Sequence, residues 1–511
     1  MITKRFAMSV VFILLSIFTI LSIGSAFGES LTFDEIVAVE AGNNAWRKHD
    51  FSVDTNVPPL MRELAVLPSL IGFTVSSPYP NIRQLPARMV IIALGIVLGF
   101  SIYSIAQSCF GMEAALLALF FYVFEPNILA NSHYITQDIG VSLFFFLAYF
   151  SLVQVFQNPS RFNFIFHGLC IGLMASSKIS AVPFYFASAT LLTLFSLRRR
   201  MFAWFRKYIL RICLSALVCL FVVWSTYFFT LNVIVAPGGN TERVSVKLMN
   251  WAVQKDNQVV KGVLFGLRTV HIPLGDYIAV LKNTVVRSTI STPVFFLGTF
   301  YPKPRWYFMI VNTFYKTPLP LTLFFVLSLL LSYRNKKLRS TMIILLIPIV
   351  SILFVSSVAG MQPLVRYALP LYPFLFIIAG SGITFMHNNV QKVVLLFFLL
   401  WYVTSSLSFY PHFISYANEL AGPREKLYEK FTDSNLDWGQ SLISLKQYVD
   451  VAKPAKIHFS YFGRDDAAAY GFSSDFPFGS YKFNEICAFH KVNYLTSTGP
   501  SITAISVSNW Y

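Results

Sequence analysis

The sequence predicts a mainly α, polytopic membrane helix bundle of about eleven spans. Amphipathic surface helices sit in its outer loops, and a small α/β domain follows on the outer side. Three observations predict this. Hydrophobic residues make up 55% of the 511 residues and charged residues only 12%, with a mean hydropathy of +0.60, whereas a soluble domain carries about 25% charged residues. Apolar runs recur that approach the roughly 20 residues a bilayer-crossing helix needs. Basic residues cluster between alternate runs. This composition excludes an ordinary soluble enzyme, a disordered chain and a secreted disulfide scaffold.

The first run, 6–26, contains Gly24-Ser25-Ala26, which resembles a signal-peptidase site. Its apolar stretch of about 20 residues exceeds the 7–15 of a signal core, so it is read as a retained helix. Loop 27–86 is polar, and Leu64 to Ile71 within it is too short to span, so it reads as a helix on the membrane surface. Runs 87–108, 112–125, 137–156, 163–177, 179–197 and 208–234 follow, of which 112–125 and 163–177 are short. Loop 235–306 carries the amphipathic stretch Tyr277 to Val286, and the last spans are 307–332, 341–358, 366–386 and 391–410. Residues 1–410 are thus the membrane module. Residues 411–511 form the outer domain, with a helical part at 413–450 and strand-like runs Lys456 to Phe462 and Thr503 to Val507. No internal repeat is present.

Net charge is +17, but its placement matters more than its sum. With the N-terminus, Lys4 and Arg5 in the cytoplasm, eleven spans place Arg161, Arg198, Arg199, Arg200, Arg206, Lys207, Arg334, Lys336, Lys337, Arg339 and Lys392 on the same side. Only Glu113 among the acidic residues falls near it. This is the positive-inside pattern, so the basic runs anchor topology and are not a nucleic-acid patch. The protein is expected in the plasma (inner) membrane, with its C-terminal domain extracytoplasmic. Of the five cysteines, Cys109, Cys170, Cys213 and Cys219 lie in or beside apolar runs and Cys487 in a polar segment. None has metal-site or redox spacing.

Chemistry is sought among polar residues at the outer ends of the spans. Asp34 and Glu35 follow the first span. Adjacent carboxylates resist joint burial, and one is a candidate general base, although Thr32 and Glu35 also fit a capping box. Arg62, after Pro58-Pro59, sits at headgroup depth. His133 and Asp138 lie in an outer loop, and Asp138 opens a helix whose dipole favours a carboxylate. Lys178 breaks the positive-inside pattern, so it either snorkels or binds a phosphate. Lys316, beside Pro318 and Pro320, lies in a distorted span, and Arg366 opens another. Lys178, Lys316 and Arg366 line one face at similar depth, which suits an anionic lipid headgroup. Asp433, Asn435, Asp437 and Trp438 form an acceptor-rich stretch that reads as a structural turn or a sugar site. A divalent metal near Asp34 or Asp138 is allowed, but no ligand spacing demands one and no cofactor is implied.

These residues carry a resemblance. Thr32-Phe33-Asp34-Glu35 with Asn56-Val57-Pro58-Pro59-Leu60 is similar to the first outer loop of the C-type membrane glycosyltransferases that are protein O-mannosyltransferase-like or aminoarabinose-transferase-like. Pro126-Asn127 with His133 to Asp138, Lys178, Tyr315 to Pro320 and Arg366 to Pro373 match the same group in the same order. Tyr410 to Glu419 and Asp433 to Gln440 resemble a bacterial branch of it. The resemblance covers most of the chain. It implies transfer of a sugar, with inversion, from a polyprenyl-phosphate donor to a hydroxyl of a protein or glycolipid acceptor on the extracytoplasmic face. It gives Asp34 the role of base and Lys178 the donor phosphate, and it puts Arg62 in place of a basic residue after Pro-Pro-Leu; the charge placement, not the resemblance, adds Arg366 as helper. Val57 departs from the pattern, since His commonly precedes Pro-Pro, and related chains run on beyond the position of Tyr511. Two other readings compete. A transporter or flippase of an anionic lipid would show repeat-related halves and helices broken near the midplane. A membrane-anchored scaffold leaves the three outer cations unexplained.

Overall fold

The computed structural model describes residues 3–233, 249–251, 254, 258–289, 293–454, 456–472 and 501–506. All eleven apolar runs are helical, but they are not eleven equal spans. Among the described residues, seven helices are long and apolar enough to cross a membrane: Lys4–Gly28, Leu85–Phe110, Asp138–Gln157, Met201–Ser225, Lys336–Val358, Val365–Phe385 and Asn389–Leu407. An eighth exists if the bent pair Phe308–Lys316 and Leu319–Arg334 counts as one. The helices Met112–Val123, Arg161–Ser177 and Ala181–Leu197 have 12, 17 and 17 residues. The first of these is cut short by local chemistry. Gly111, at φ +87°, turns the chain before it, and Pro126 follows its end.

The expected span 307–332 bends by 111° at Thr317-Pro318. Pro318 drives the preceding residue out of the helical region, and Thr317 is extended. The carbonyls this frees are all paired. Asn418 takes those of Phe314 and Thr317 through its side chain and that of Tyr315 through its backbone N–H, and the Asn127 side chain takes that of Lys316. A break at membrane depth is stable only when its polar groups are paired in this way.

The bundle has a centre. Within their most apolar windows, Asp138–Gln157 is 72% buried and Val365–Phe385 83%, against 11% for Met201–Ser225 and 17% for Asn389–Leu407. The two central helices open at the same end, where Asp138 and Arg366 stand. The short helix Leu60–Leu70 packs there too. Met61 covers Gly140 so closely that a Cβ on that glycine would overlap its sulfur.

Both loop stretches expected to be helical are so. Leu60–Leu70 ends beside exposed Ile71 and Phe73, and Tyr277 to Val286 lies inside helix Gly275–Thr289. An antiparallel hairpin, Val294–Phe296 with Thr299–Tyr301, precedes the bent pair. The expected helical part at 413–450 is mostly a chain of 3-10 turns, and its only α-helix among the described residues is Leu442–Ala452. Gly422 at φ +97°, Pro423, Asp433 at φ +53° and Gly439 at φ +89° explain why. Phe413, Tyr416, Leu427, Phe431 and Trp438 belong to the main core of the bundle, whereas Leu442, Phe459, Tyr470 and Phe472 form a small separate core. There Lys456–Ser460 pairs in parallel with Ser501–Ile505. The strand-like run expected at Thr503 to Val507 therefore starts two residues earlier, and Val507 lies outside the described residues, as does Cys487.

Candidate functional site

Asp34 is the second residue of helix Phe33–Lys48. Two devices fix its position. Glu35 closes a capping box with Thr32, accepting from its backbone N–H at 2.7 Å. The segment Asp433 to Gln440 then lies along residues 30–33. Ser30 N–H donates to the Gln440 carbonyl at 3.0 Å, Phe33 N–H to that of Trp438 at 2.9 Å, and the Ser30 hydroxyl to that of Gly439 at 3.1 Å. Two stretches some 400 residues apart thus hold one loop.

With that loop fixed, the Asp34 carboxylate meets Arg366 at 2.9 Å, with 41% of the Asp34 side chain still exposed. The Arg366 guanidinium lies over the Trp438 ring at 4.4 Å and near the Tyr367 ring at 5.5 Å. The ammonium of Lys178 lies over the same Tyr367 ring at 4.6 Å and pairs with Asp138 at 2.5 Å. Asp34, Arg366, Tyr367, Lys178 and Asp138 therefore form one continuous array. Two buried atoms in it, Asp138 Oδ2 and Arg366 Nε, have no hydrogen-bond partner among the described residues. Buried polar atoms are normally paired, so the array has binding capacity to spare.

The other expected site residues are placed differently. Glu35 is fully buried and shares both oxygens with Arg88, at 2.9 and 2.8 Å, and with the N–H of Ile135. That leaves it no face toward a ligand. Lys316 is also fully buried and donates to the carbonyls of Ile414 and Asn435 at 2.8 and 2.7 Å. It ties the helix break to the segments at Ile414 and Asn435 and does not join Lys178 and Arg366, because these two carbonyls hold its ammonium. Arg62 turns back onto its own loop, donating to the carbonyls of Asp54 and Val57 and pairing with the Asp54 carboxylate at 3.4 Å. It does not reach the array or a headgroup. His133 is fully buried between Glu29, at 2.9 Å, and the Leu129 carbonyl. Asn435 accepts from Val365 N–H and donates to the Pro363 carbonyl, while Asp437 accepts from Gly439 N–H. Trp438 is 2% exposed and carries Arg366 rather than offering an open face to a sugar. Asp433 is half-buried at the edge of a cavity.

The sequence reading missed three side chains that organise the site. Arg88 is fully buried, and besides Glu35 it donates to the carbonyls of Ala26, Glu29 and Ser30. Its signal was a lone basic residue at the outer end of an apolar run. Glu29, at the end of the first helix, accepts from the Tyr134 hydroxyl at 2.6 Å and contacts His133 and His412. Burial would raise its pKa, but the hydrogen bonds and charge of the two histidines hold it down to about 2. His412 reaches on to Ser444, at 2.9 Å, and so links the C-terminal helix to this cluster. Among the described residues, no three His, Cys, Asp or Glu side chains converge as a metal-binding group.

Two predictions follow from the buried acids. Glu35→Gln leaves Arg88 charged and buried without its partner, and breaking a buried pair costs about 3–5 kcal/mol. The melting temperature of the purified protein should fall accordingly, with the loss read before any assay of activity. Glu63 is pushed up to about 8 by burial, against which nearby Arg62 acts only in part. The folded state therefore holds a proton that the unfolded state has lost above the ordinary value of 4.5. Stability from this group is full below pH 4.5 and declines as pH rises towards 8, at about 1.4 kcal/mol per unit. Glu63→Gln should flatten that share of the decline and melt higher than wild type at pH 8.

Residues 81–226 match the family model of dolichyl-phosphate-mannose-protein mannosyltransferases, a segment that contains Arg88, Asp138 and Lys178. The chain superposes on ArnT from Cupriavidus metallidurans bound to undecaprenyl phosphate with a TM-score of 0.54, at 14% identity over 88% of this chain and 71% of that one. The chain therefore shares the fold of that protein. The apo form of the same ArnT gives a TM-score of 0.52 at 13% identity, over 76% of this chain. The present chain spans 62% of the length of that protein. No curated protein matches the sequence.

Proposed function

We propose that this protein is an inverting C-type glycosyltransferase that moves a sugar from a polyprenyl phosphate to an acceptor hydroxyl at the extracytoplasmic face. The observation that carries the reading is the array itself. A half-exposed carboxylate, Asp34, stands beside two cations, Arg366 and Lys178, that share one aromatic ring and leave polar atoms unpaired. The likeness to an ArnT bound to undecaprenyl phosphate supports a lipid-phosphate donor.

In this reading Asp34 takes the proton of the acceptor hydroxyl as its oxygen attacks the anomeric carbon. The bond from that carbon to the phosphate oxygen breaks, and its electron pair leaves with the polyprenyl phosphate. Lys178 and Arg366 stabilise the charge that develops there. Glu35, Arg88 and Trp438 position Asp34 and Arg366 without touching substrate. The eleven-span topology, with a cytoplasmic N-terminus in the plasma membrane and the outer domain after residue 410, belongs to the same proposal. The three short helices complete its spans.

The test is made in proteoliposomes with a panel of radiolabelled polyprenyl-phosphate sugars. Loss of label from the lipid supports a transferase. Label that stays on the lipid but changes leaflet replaces this reading with transport of the lipid, for which the bent helix pair would be the structural basis.

A further inference from the structure

A cavity of about 200 Å³ lies beside the array. Phe295 and Phe300 of the hairpin form one wall, Phe462 another, and Gln362, Thr432 and Asp433 supply its polar rim. Its position follows from contacts already described. Phe462 stacks on Phe33, the neighbour of Asp34, with ring centroids 5.0 Å apart. Gln362 lies four residues before Arg366, and Asp433 is close enough to act electrostatically on Arg366. Lys178 approaches Arg366 from the Tyr367 side. The cavity borders it from the side of residues 432–435.

We propose that this cavity is the acceptor subsite and that it takes a neutral sugar residue, so that the acceptor is a glycan. The proposal rests on the transferase reading above. Aromatic walls take the C–H face of a pyranose ring. Carboxylate, amide and hydroxyl groups on one rim match its hydroxyls and fix their orientation. The Asp433 charge disfavours an anionic acceptor. A serine or threonine peptide would need a long groove or sheet edge that pairs with its backbone, whereas this cavity, of about 200 Å³, has room for about one ring.

The test uses the full chain in detergent with methyl α-mannopyranoside, methyl β-glucopyranoside and a blocked threonine peptide as probes. Saturation-transfer NMR reads binding without donor, and labelled polyprenyl-phosphate sugar then reads transfer. The variants are Phe300→Ala, at a ring 55% exposed and so outside the core, and Asp433→Asn, since Asn tolerates the left-handed backbone at φ +53°. A glycoside should bind wild type and weaken about five- to tenfold in Phe300→Ala and about tenfold in Asp433→Asn. Melting temperature and donor-lipid binding check that each variant is folded. Glycosides that do not bind, or that bind wild type and variants alike, overturn the proposal. So does a peptide whose binding responds to both substitutions when the glycosides' does not. If the glycosides behave as expected but no label leaves the lipid, the transferase reading fails and the sugar cavity stands.

Discussion

Asp34→Asn is expected to bind the lipid donor and transfer almost nothing. Asparagine has the shape of aspartate and still accepts a hydrogen bond from Arg366, so the loop held by Glu35 and Trp438 should not move. What is lost is the base. General-base catalysis contributes about 10²–10⁴-fold, and the fall should appear in kcat with little change in KM. The variant should lose less stability than Glu35→Gln, because the Asp34 side chain is 41% exposed and Arg366, 15% exposed, keeps its seat on Trp438. This separates Asp34 from its neighbour Glu35, whose loss should act on stability. A variant that transfers at the wild-type rate would leave Asp34 only as the ionic partner of Arg366.

Lys178→Met is expected to lose both donor binding and stability, for different reasons. A charge-assisted hydrogen bond to the donor phosphate is worth about 1.5–3 kcal/mol, so donor affinity should fall roughly ten- to a hundredfold. The substitution also strands Asp138, whose side chain is wholly buried. An unpaired buried charge costs about 3–5 kcal/mol. The double variant Lys178→Met with Asp138→Asn separates the two. It should recover most of the melting temperature and none of the donor affinity. Donor affinity that returns with stability would mean that Lys178 only neutralises Asp138 and never meets the phosphate.

The membrane bundle was legible because hydropathy and charge placement are local properties of the sequence. So were Asp34, Lys178 and Arg366, since each is polar at an outer helix end without a local structural task. The break at Thr317-Pro318 was announced by two prolines. What could not be read was how polar residues at the same depth divide between ligand and scaffold. Lys316, Arg62 and His133 resemble Lys178 in sequence terms, yet none of them joins the array of Asp34, Arg366, Tyr367, Lys178 and Asp138. Lys316 meets carbonyls about a hundred residues away, and His133 meets Glu29 from the first helix. Arg88 stayed hidden inside a run counted as apolar, although a lone arginine there needs a carboxylate. Helix in 413–441 was misjudged because Gly422, Asp433 and Gly439 adopt positive φ, and that segment follows the surface of the bundle more closely than a helix can.

The most direct measurement is the configuration of the anomeric carbon in the product formed by the wild-type protein from a labelled polyprenyl-phosphate sugar. With Asp34 acting as base on the acceptor hydroxyl, and the other carboxylate of the array, Asp138, held against Lys178, the proposed reaction is a single displacement. The product should therefore carry the configuration opposite to that of the donor. A product with the donor's configuration, or donor recovered intact after long incubation, would contradict the account.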